Sequence, residues 1–336
     1  MRDRSVIAAG RAQGMSLRAI GRMIDRDASV ISRELSRHRL AGGGYAAVRA
    51  DVGAQRRRGR PQARRLDTCA VLKARVLGDL GRGRSPRAIA GRLKAEAGGD
   101  IDAVSGSVAV GGERVSHEAI YTWMYALAKG ELARRGIRLD SGRTRRVARK
   151  SLGQRRSGPI VGMTSIEDRP GEVAGRKVPG HWEGDLIIGA HGASAAATLV
   201  ERTSRFTVIL GLPEGKNSDA LAEDLITEIG SWPAPFNRSL TWDQGSEMAR
   251  HATVTMATGM PVYFAHPHSP WERPTNENTN RIVRRYLPKG SVITSHQPYL
   301  DAIAEEINEI PRAVLGYLTP REVFQRLLTQ DVASTS

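Results

Sequence analysis

Cysteine is all but missing from this 336-residue chain, where Cys69 stands alone. A single thiol excludes an intramolecular disulfide framework and any zinc centre built on several cysteines, and it fits a reducing cytoplasm. Aromatic residues make up only 5% of the chain, and no apolar run approaches bilayer-spanning length. The N-terminus is polar from Arg2 to Arg4, which does not suit a secretory leader. A cytoplasmic protein with no membrane partner is therefore expected.

Acidic charge is scarce in one half only. Residues 1–150 carry 33 Lys and Arg against 14 Asp and Glu, whereas the remainder carries 18 against 21. The whole net charge of +16 thus comes from the first half. Solubility does not require one-sided charge, so the pattern suggests a polyanion-binding half joined to a working half.

Within the basic half, residues 3–13 read as a helix ending at Gly14. Ser16 suits the N-cap of a helix over 17–24, Asp25-Arg26-Asp27 reads as a turn, and a third helix runs over 28–38. Three short helices with a tight turn before the last predict a helix-turn-helix domain over residues 1–48. On the last helix Ser29, Ser32, Arg33, Ser36 and Arg37 form one polar stripe opposite Ile31 and Leu35. Such a stripe suits a major groove, although a plain solvated face looks the same; the charge asymmetry favours DNA. Residues 49–70, with Arg56, Arg57 and Arg58, read as a flexible basic linker that tracks phosphates. A second helical, helix-turn-helix-like domain is expected over 71–140. Its start signals are Ser85-Pro86 and Ser116, and Ile120, Trp123, Met124 and Leu127 fall at core spacing. A further basic linker spans 141–176 and contains Arg145 and Arg146.

From about Gly180 the pattern changes. β-Branched apolar runs occupy 185–189, 197–201 and 205–212, followed by a helix over 218–229, a strand at 240–243, a helix near 246–258 and a short strand at 262–264. Strands before helices, then alternation, predict an α/β core with a mixed sheet over 177–290. A helical segment over 291–336 follows, with a helix at 298–309 and another opening at Thr319-Pro320.

Three acids sit on separate landmarks of that core. Asp185 ends Gly-His-Trp-Glu-Gly-Asp and opens an apolar strand, Asp243 ends Leu-Thr-Trp-Asp, and Glu277 begins a basic helix. Carboxylates from two strands and a helix can hold two magnesium ions against a phosphodiester. Each alone is equally well a strand-edge charge, a turn residue or a helix-start residue. Glu183, Glu247 and Glu272 stand nearby as competitors that spacing does not exclude. Arg284 lies two helical turns past Glu277, with Arg281 and Arg285 beside it and Lys289 beyond, where cations would grip DNA. His266 and His268 read as structural residues or phosphate contacts rather than metal ligands.

The runs GHWEGDLIIG (180–189), TLVER (198–202), LTWDQG (240–245), HSPW (268–271), NENTN (276–280) and LPKG (287–290) are similar to those of the insertion sequence 30 family of bacterial transposases. So are ISREL (31–35) and TPREVF (319–324), and the resemblance covers nearly the whole chain. It implies a ribonuclease-H-like catalytic core with Asp185, Asp243 and Glu277 as the triad and Arg284 as the basic residue that follows it. It also implies two Mg2+ ions, with Mn2+ as a substitute. The implied partners are double-stranded DNA, namely the element's terminal inverted repeats and the target, and further copies of the chain on that DNA. The setting implied is the bacterial nucleoid. The chain departs from the family pattern at His266, Pro274 and Arg281. Two other readings use the same features: a DNA-binding regulator whose triad is idle, and a structure-selective nuclease.

Overall fold

The computed structural model describes residues 2–58, 63–127, 130–137, 160, 162–267 and 269–334. Residues 1–64 and 65–336 form two compact units. Among the described residues no helix is long and apolar enough to cross a membrane.

The first unit contains α1 (Arg2–Ala12), α2 (Leu17–Met23), α3 (Ala28–Arg37) and α4 (Ala47–Arg58). Ser16 Oγ accepts from Ala19 N–H and Asp27 accepts from Ser29 N–H, so the helix starts read from the sequence are side-chain caps. The turn between α2 and α3 is tight enough that a Cβ on Gly21 would stand 2.4 Å from the Arg26 carbonyl oxygen. Ile7, Ile20 and Ile31 form the small core. Ser29, Ser32, Arg33, Ser36 and Arg37 are all exposed.

Helix α4 corrects the expectation of a flexible linker from residue 49 onward. Its buried residues are Ala50 and Ala54, one turn apart. Arg4 of α1 pairs with both Asp51 and Glu34 at 2.7 Å, which ties α1, α3 and α4 together. An alanine stripe carries little hydropathy and is masked in the sequence by the arginines around it. Arg56 is exposed at the end of α4. The side chains of Arg57 and Arg58, and Arg145 and Arg146 in full, lie outside the described residues.

The second unit opens with a helical cluster: α5 (Arg65–Thr68), α6 (Ala70–Gly81), α7 (Pro86–Ala97), α8 (His117–Tyr125) and α9 (Glu131–Arg134). Leu72, Val76, Ile89, Leu93, Ile120, Trp123 and Met124 fill its core, and Leu127 packs partly buried against it; for Ile120, Trp123 and Met124 this is what the spacing predicts. Three of its arginines, Arg75, Arg84 and Arg92, are buried. Arg75 pairs with Asp79 and Glu96, and donates to the Val108 carbonyl, pinning the 98–116 loop.

The rest of the unit is built on one six-stranded sheet. Its strands are β1 (Thr164–Ser165), β2 (His181–Ile188), β3 (Ala195–Glu201), β4 (Thr207–Leu212), β5 (Ser239–Trp242) and β6 (Val262–Phe264), in the order β1-β6-β5-β2-β3-β4. β2, β3 and β4 form an antiparallel meander, while β5 runs parallel to β2, and β6 parallel to β5. This is the mixed, ribonuclease-H-like sheet. β1 is an addition that the sequence did not signal. β2 starts four residues before Asp185, so that acid sits inside a strand instead of opening one. The helix expected near 246–258 is divided into a 3-10 turn (Ser246–Met248) and α12 (His251–Thr258).

Alternation along β2 assigns the two faces. Trp182 and Leu186 point toward the cluster closed by α11 (Ser218–Gly230), α12 and α15 (Pro320–Ser334). Glu183, Asp185 and Ile187 point the other way, toward α13 (Pro274–Val283) and α14 (Gln297–Asn308). The short α10 (Glu172–Gly175) precedes β2. The two tail helices therefore complete the core: Leu300, Ile303 and Ile307 cover one face, and Phe324 packs against Phe206 and Phe236 on the other.

Candidate active site

Strand register brings the two aspartates level. Glu183 of β2 is paired with Thr241 of the parallel β5, so Asp185 and Asp243, each two residues on, emerge side by side. Gly184 permits this approach, since a Cβ there would lie 1.9 Å from the Trp242 ring. The aspartates meet on one cation from the start of α13. Arg273 Nη1 lies 3.7 Å from Asp185 Oδ1 and donates to the Gly184 carbonyl at 2.7 Å, while Nη2 lies 3.2 Å from Asp243 Oδ2. Arg273 Nε is buried with no hydrogen-bond partner.

Asp185 is held on both oxygens. Oδ1 accepts from Leu186 N–H at 3.0 Å, and Oδ2 accepts from the Asn280 amide at 2.8 Å. Asn280 is in turn oriented by Thr198 of β3, whose hydroxyl donates to its Oδ1 at 2.8 Å. Burial pushes the Asp185 carboxyl up to about 6; the Asp243 and Glu247 charges add to the rise and Arg273 opposes it.

The competing acids have different fates. Glu183 is fully buried, pairs with Arg202 at 2.5 Å and accepts from Asn276 N–H at 2.9 Å, so it anchors the first turn of α13. Glu272 is occupied by His266, accepting from its backbone N–H and its ring Nδ1, both at 2.8 Å. Glu247 accepts weakly from Trp242 Nε1 at 3.4 Å, and burial together with Asp243 raises its pKa.

Glu277 is exposed and makes no side-chain hydrogen bond or ion pair among the described residues. It lies four residues after Arg273, three before Asn280 and seven before Arg284, which places all four on one stripe of α13. Among the described residues no three His, Cys, Asp or Glu side chains stand together as a preformed metal cage. Asp185 and Asp243 nonetheless already share one cation, and their all-oxygen donor set fits a hard divalent ion such as Mg2+ or Mn2+.

The basic residues of this region are distributed differently from one another. Arg284 is half-buried and donates to the Ile188 carbonyl at 3.0 Å and the Leu287 carbonyl at 3.4 Å, so it clamps α13 to the end of β2. Arg281 is exposed and donates to Asn278 Oδ1, Arg285 donates to the Gly83 carbonyl at 3.1 Å, and Lys289 is exposed. His181 is buried between Ser239 and Glu172, buttressing β2, and His268 lies outside the described residues. Sequence reasoning missed Arg273, Asn280 and Thr198. The one available signal was Asn276 and Asn280, four apart on a helix above two strand acids.

Residues 1–38 match the model of a helix-turn-helix domain and residues 175–270 that of an integrase core domain. Glu277 lies beyond the second match. Over 97% of its length the chain is 42% identical to the transposase for insertion sequence element IS1086 of Cupriavidus metallidurans, of which it covers 94%. It is 39% identical over 96% of its length to the transposase InsI for insertion sequence element IS30C of Escherichia coli K12, covering 82% of that protein. Similarity also extends over 94% of the chain, at 33% identity, to the transposase for IS4351 of Bacteroides fragilis, of which 92% is covered. With its helix-turn-helix front end and its integrase core, the chain belongs to the insertion sequence 30 family of transposases.

Proposed function

We propose that this transposase cleaves and joins DNA strands at Asp185, Asp243 and Glu277, with Mg2+ or Mn2+ as cofactor. The observation that carries the reading is the meeting of Asp185 and Asp243, from adjacent parallel strands, on the single guanidinium of Arg273. Two divalent ions, when bound, supply activation of the attacking oxygen and neutralisation of the leaving one. The chain's own residues supply the placement. Asn280 and the Leu186 N–H fix the Asp185 carboxylate, and the β5 terminus fixes Asp243 beside it. Glu277 supplies the third carboxylate from the stripe of α13 that already reaches Asp185.

The same site serves two displacements. Water frees a 3′-hydroxyl at an element end, and that hydroxyl then attacks a phosphodiester of the target. The exposed stripe of α3 (Ser29, Ser32, Arg33, Ser36 and Arg37) reads the terminal inverted repeats through the major groove. Arg285 and Lys289 hold backbone near the cleavage point, Arg281 holds it farther round α13, and two or more copies of the chain bring the two ends together in the bacterial cytoplasm.

The test is Asp243→Asn on a supercoiled plasmid carrying matched inverted repeats. Strand cleavage should vanish while repeat binding persists. Persistent Mg2+-dependent cleavage would overturn the assignment, and binding without nicking by the parent chain would favour a regulator.

A further inference from the structure

On the side of α13 turned away from Asp185, four arginines converge on one pocket of about 320 Å3. Arg176, Arg205, Arg281 and Arg312 line it together with Thr275, and no carboxylate does. Arg205 Nη1 donates to Thr275 Oγ1, which fixes one wall. Arg312 follows α14, and its Nε and Nη2 are buried without any hydrogen-bond partner. Burial and the neighbouring Arg285 and Arg205 charges push the Arg312 guanidinium down to about 10. Two of the four, Arg176 (φ 51°) and Arg205 (φ 64°), hold left-handed backbone that side-chain-bearing residues rarely adopt.

Glu183 and Glu201 act on Arg205 from outside the pocket, but no carboxylate lines it. Guanidinium groups so gathered repel one another and at Arg312 leave donors unpaired, and both costs are relieved by one oxyanion. The helix face involved is separate from the one that carries Arg273, Asn280 and Arg284. Thr275, Asn278, Thr279 and Ile282 line the pocket at i, i+3, i+4 and i+7 along α13.

We propose that this pocket is a phosphate site that seats a backbone phosphate of the bound DNA, across α13 from the acidic site. The inference deepens the transposase reading and rests on it for the identity of the anion. A phosphate held here fixes the strand relative to the helix that carries Glu277, which is what in-line displacement at the acidic site requires.

The test uses the full chain in divalent-free buffer, so that it reads neither cleavage nor triad integrity. Binding of a plain duplex oligonucleotide is measured against salt for the parent chain, Arg312→Gln and Arg281→Gln. Each lost phosphate contact lowers the slope of log K against log salt by about 0.9. The expected result is a slope lower by about one contact in Arg312→Gln, with a smaller fall in Arg281→Gln, whose exposed position spares the fold. In parallel, inorganic phosphate at constant ionic strength should raise the thermal midpoint of the parent chain, a measurement that needs no variant. Stabilisation by phosphate with unchanged slopes in both variants would mean a free-phosphate site and overturn the DNA assignment. No stabilisation and unchanged slopes would reduce the cluster to a structural feature and overturn the proposal altogether.

Discussion

The Asn280 amide donates to Asp185 Oδ2 at 2.8 Å while its own oxygen accepts from Thr198 at 2.8 Å, so one side chain links α13, β2 and β3 at the acidic site. A carboxylate left to rotate loses orientation before it loses charge. Asn280→Ala should therefore lower strand cleavage by roughly 10- to 100-fold and weaken Mn2+ binding by a similar factor. Repeat binding should remain. Cleavage within twofold of the parent in a plasmid assay would show that Asn280 does not position Asp185.

Arg273 stands between the two aspartates as the one cation within ion-pair distance of both among the described residues. Replacing it with glutamine leaves two neighbouring carboxylates facing each other. The variant should unfold at lower temperature in chelator than the parent chain. Mg2+ should raise its midpoint by more than it raises the parent's, because the ion then restores a missing charge. Equal Mg2+ shifts in the two proteins would contradict this.

Asp185 also gives the fold a pH dependence of definite sign. Its folded pKa of about 6 lies above the ordinary aspartate value of 3.8. The folded state thus binds the proton more tightly than the unfolded chain does. This contribution to stability is fully present below about pH 4, falls as pH rises, and is gone once pH passes about 6. Asp185→Asn removes the titration, so above pH 6 the variant should be more stable than the parent by about 1–2 kcal/mol, allowing for the partial exposure of the side chain. The gap should close toward pH 4. Urea unfolding of both proteins across that range checks it, in metal-free buffer.

The sequence made the aspartates visible because each is tied to a local signal, Asp185 to an apolar β-branched run and Asp243 to the end of a short strand. What it could not show is how residues distant in the chain share the work. Glu183 has the strand face of a metal ligand, and only the structure shows it spent on Arg202 and the first turn of α13. Arg273 looks like one more basic residue before Pro274, and becomes the partner of both aspartates only once β2 and β5 are paired. Charge misled in the same way. Arg75, Arg84 and Arg92 count toward the basic half, yet all three are buried on Asp79, Glu96 and Glu322 and present nothing to a phosphate. Alanine-lined α4 was hidden because its packing face differs little from its surroundings in hydropathy.

Arg92 supplies the last prediction, since it joins the second helical cluster to the tail of the chain. Its side chain is buried, yet it reaches Glu322 of α15 through both terminal nitrogens, at 2.6 and 2.7 Å, and donates to the Tyr317 carbonyl at 3.1 Å. Glu322 is itself locked in a capping box, accepting from Thr319 N–H at 2.7 Å while its own N–H donates to Thr319 Oγ1 at 3.1 Å. Burial works against the charged Glu322, but Arg92 and Thr319 together hold its carboxyl below the usual range. The stability it contributes is therefore present at neutral pH and is lost as pH falls through that depressed pKa. Glu322→Gln leaves the Arg92 charge buried against weaker acceptors and should cost about 2–3 kcal/mol at pH 7, less than a fully buried pair because Glu322 is partly exposed. The cost should shrink under acid conditions. Combining it with Arg92→Met should recover part of the loss, because the uncompensated cation is then gone. A double-mutant cycle by urea unfolding measures the coupling, and a coupling near zero would show that the Arg92–Glu322 pair does not hold α15.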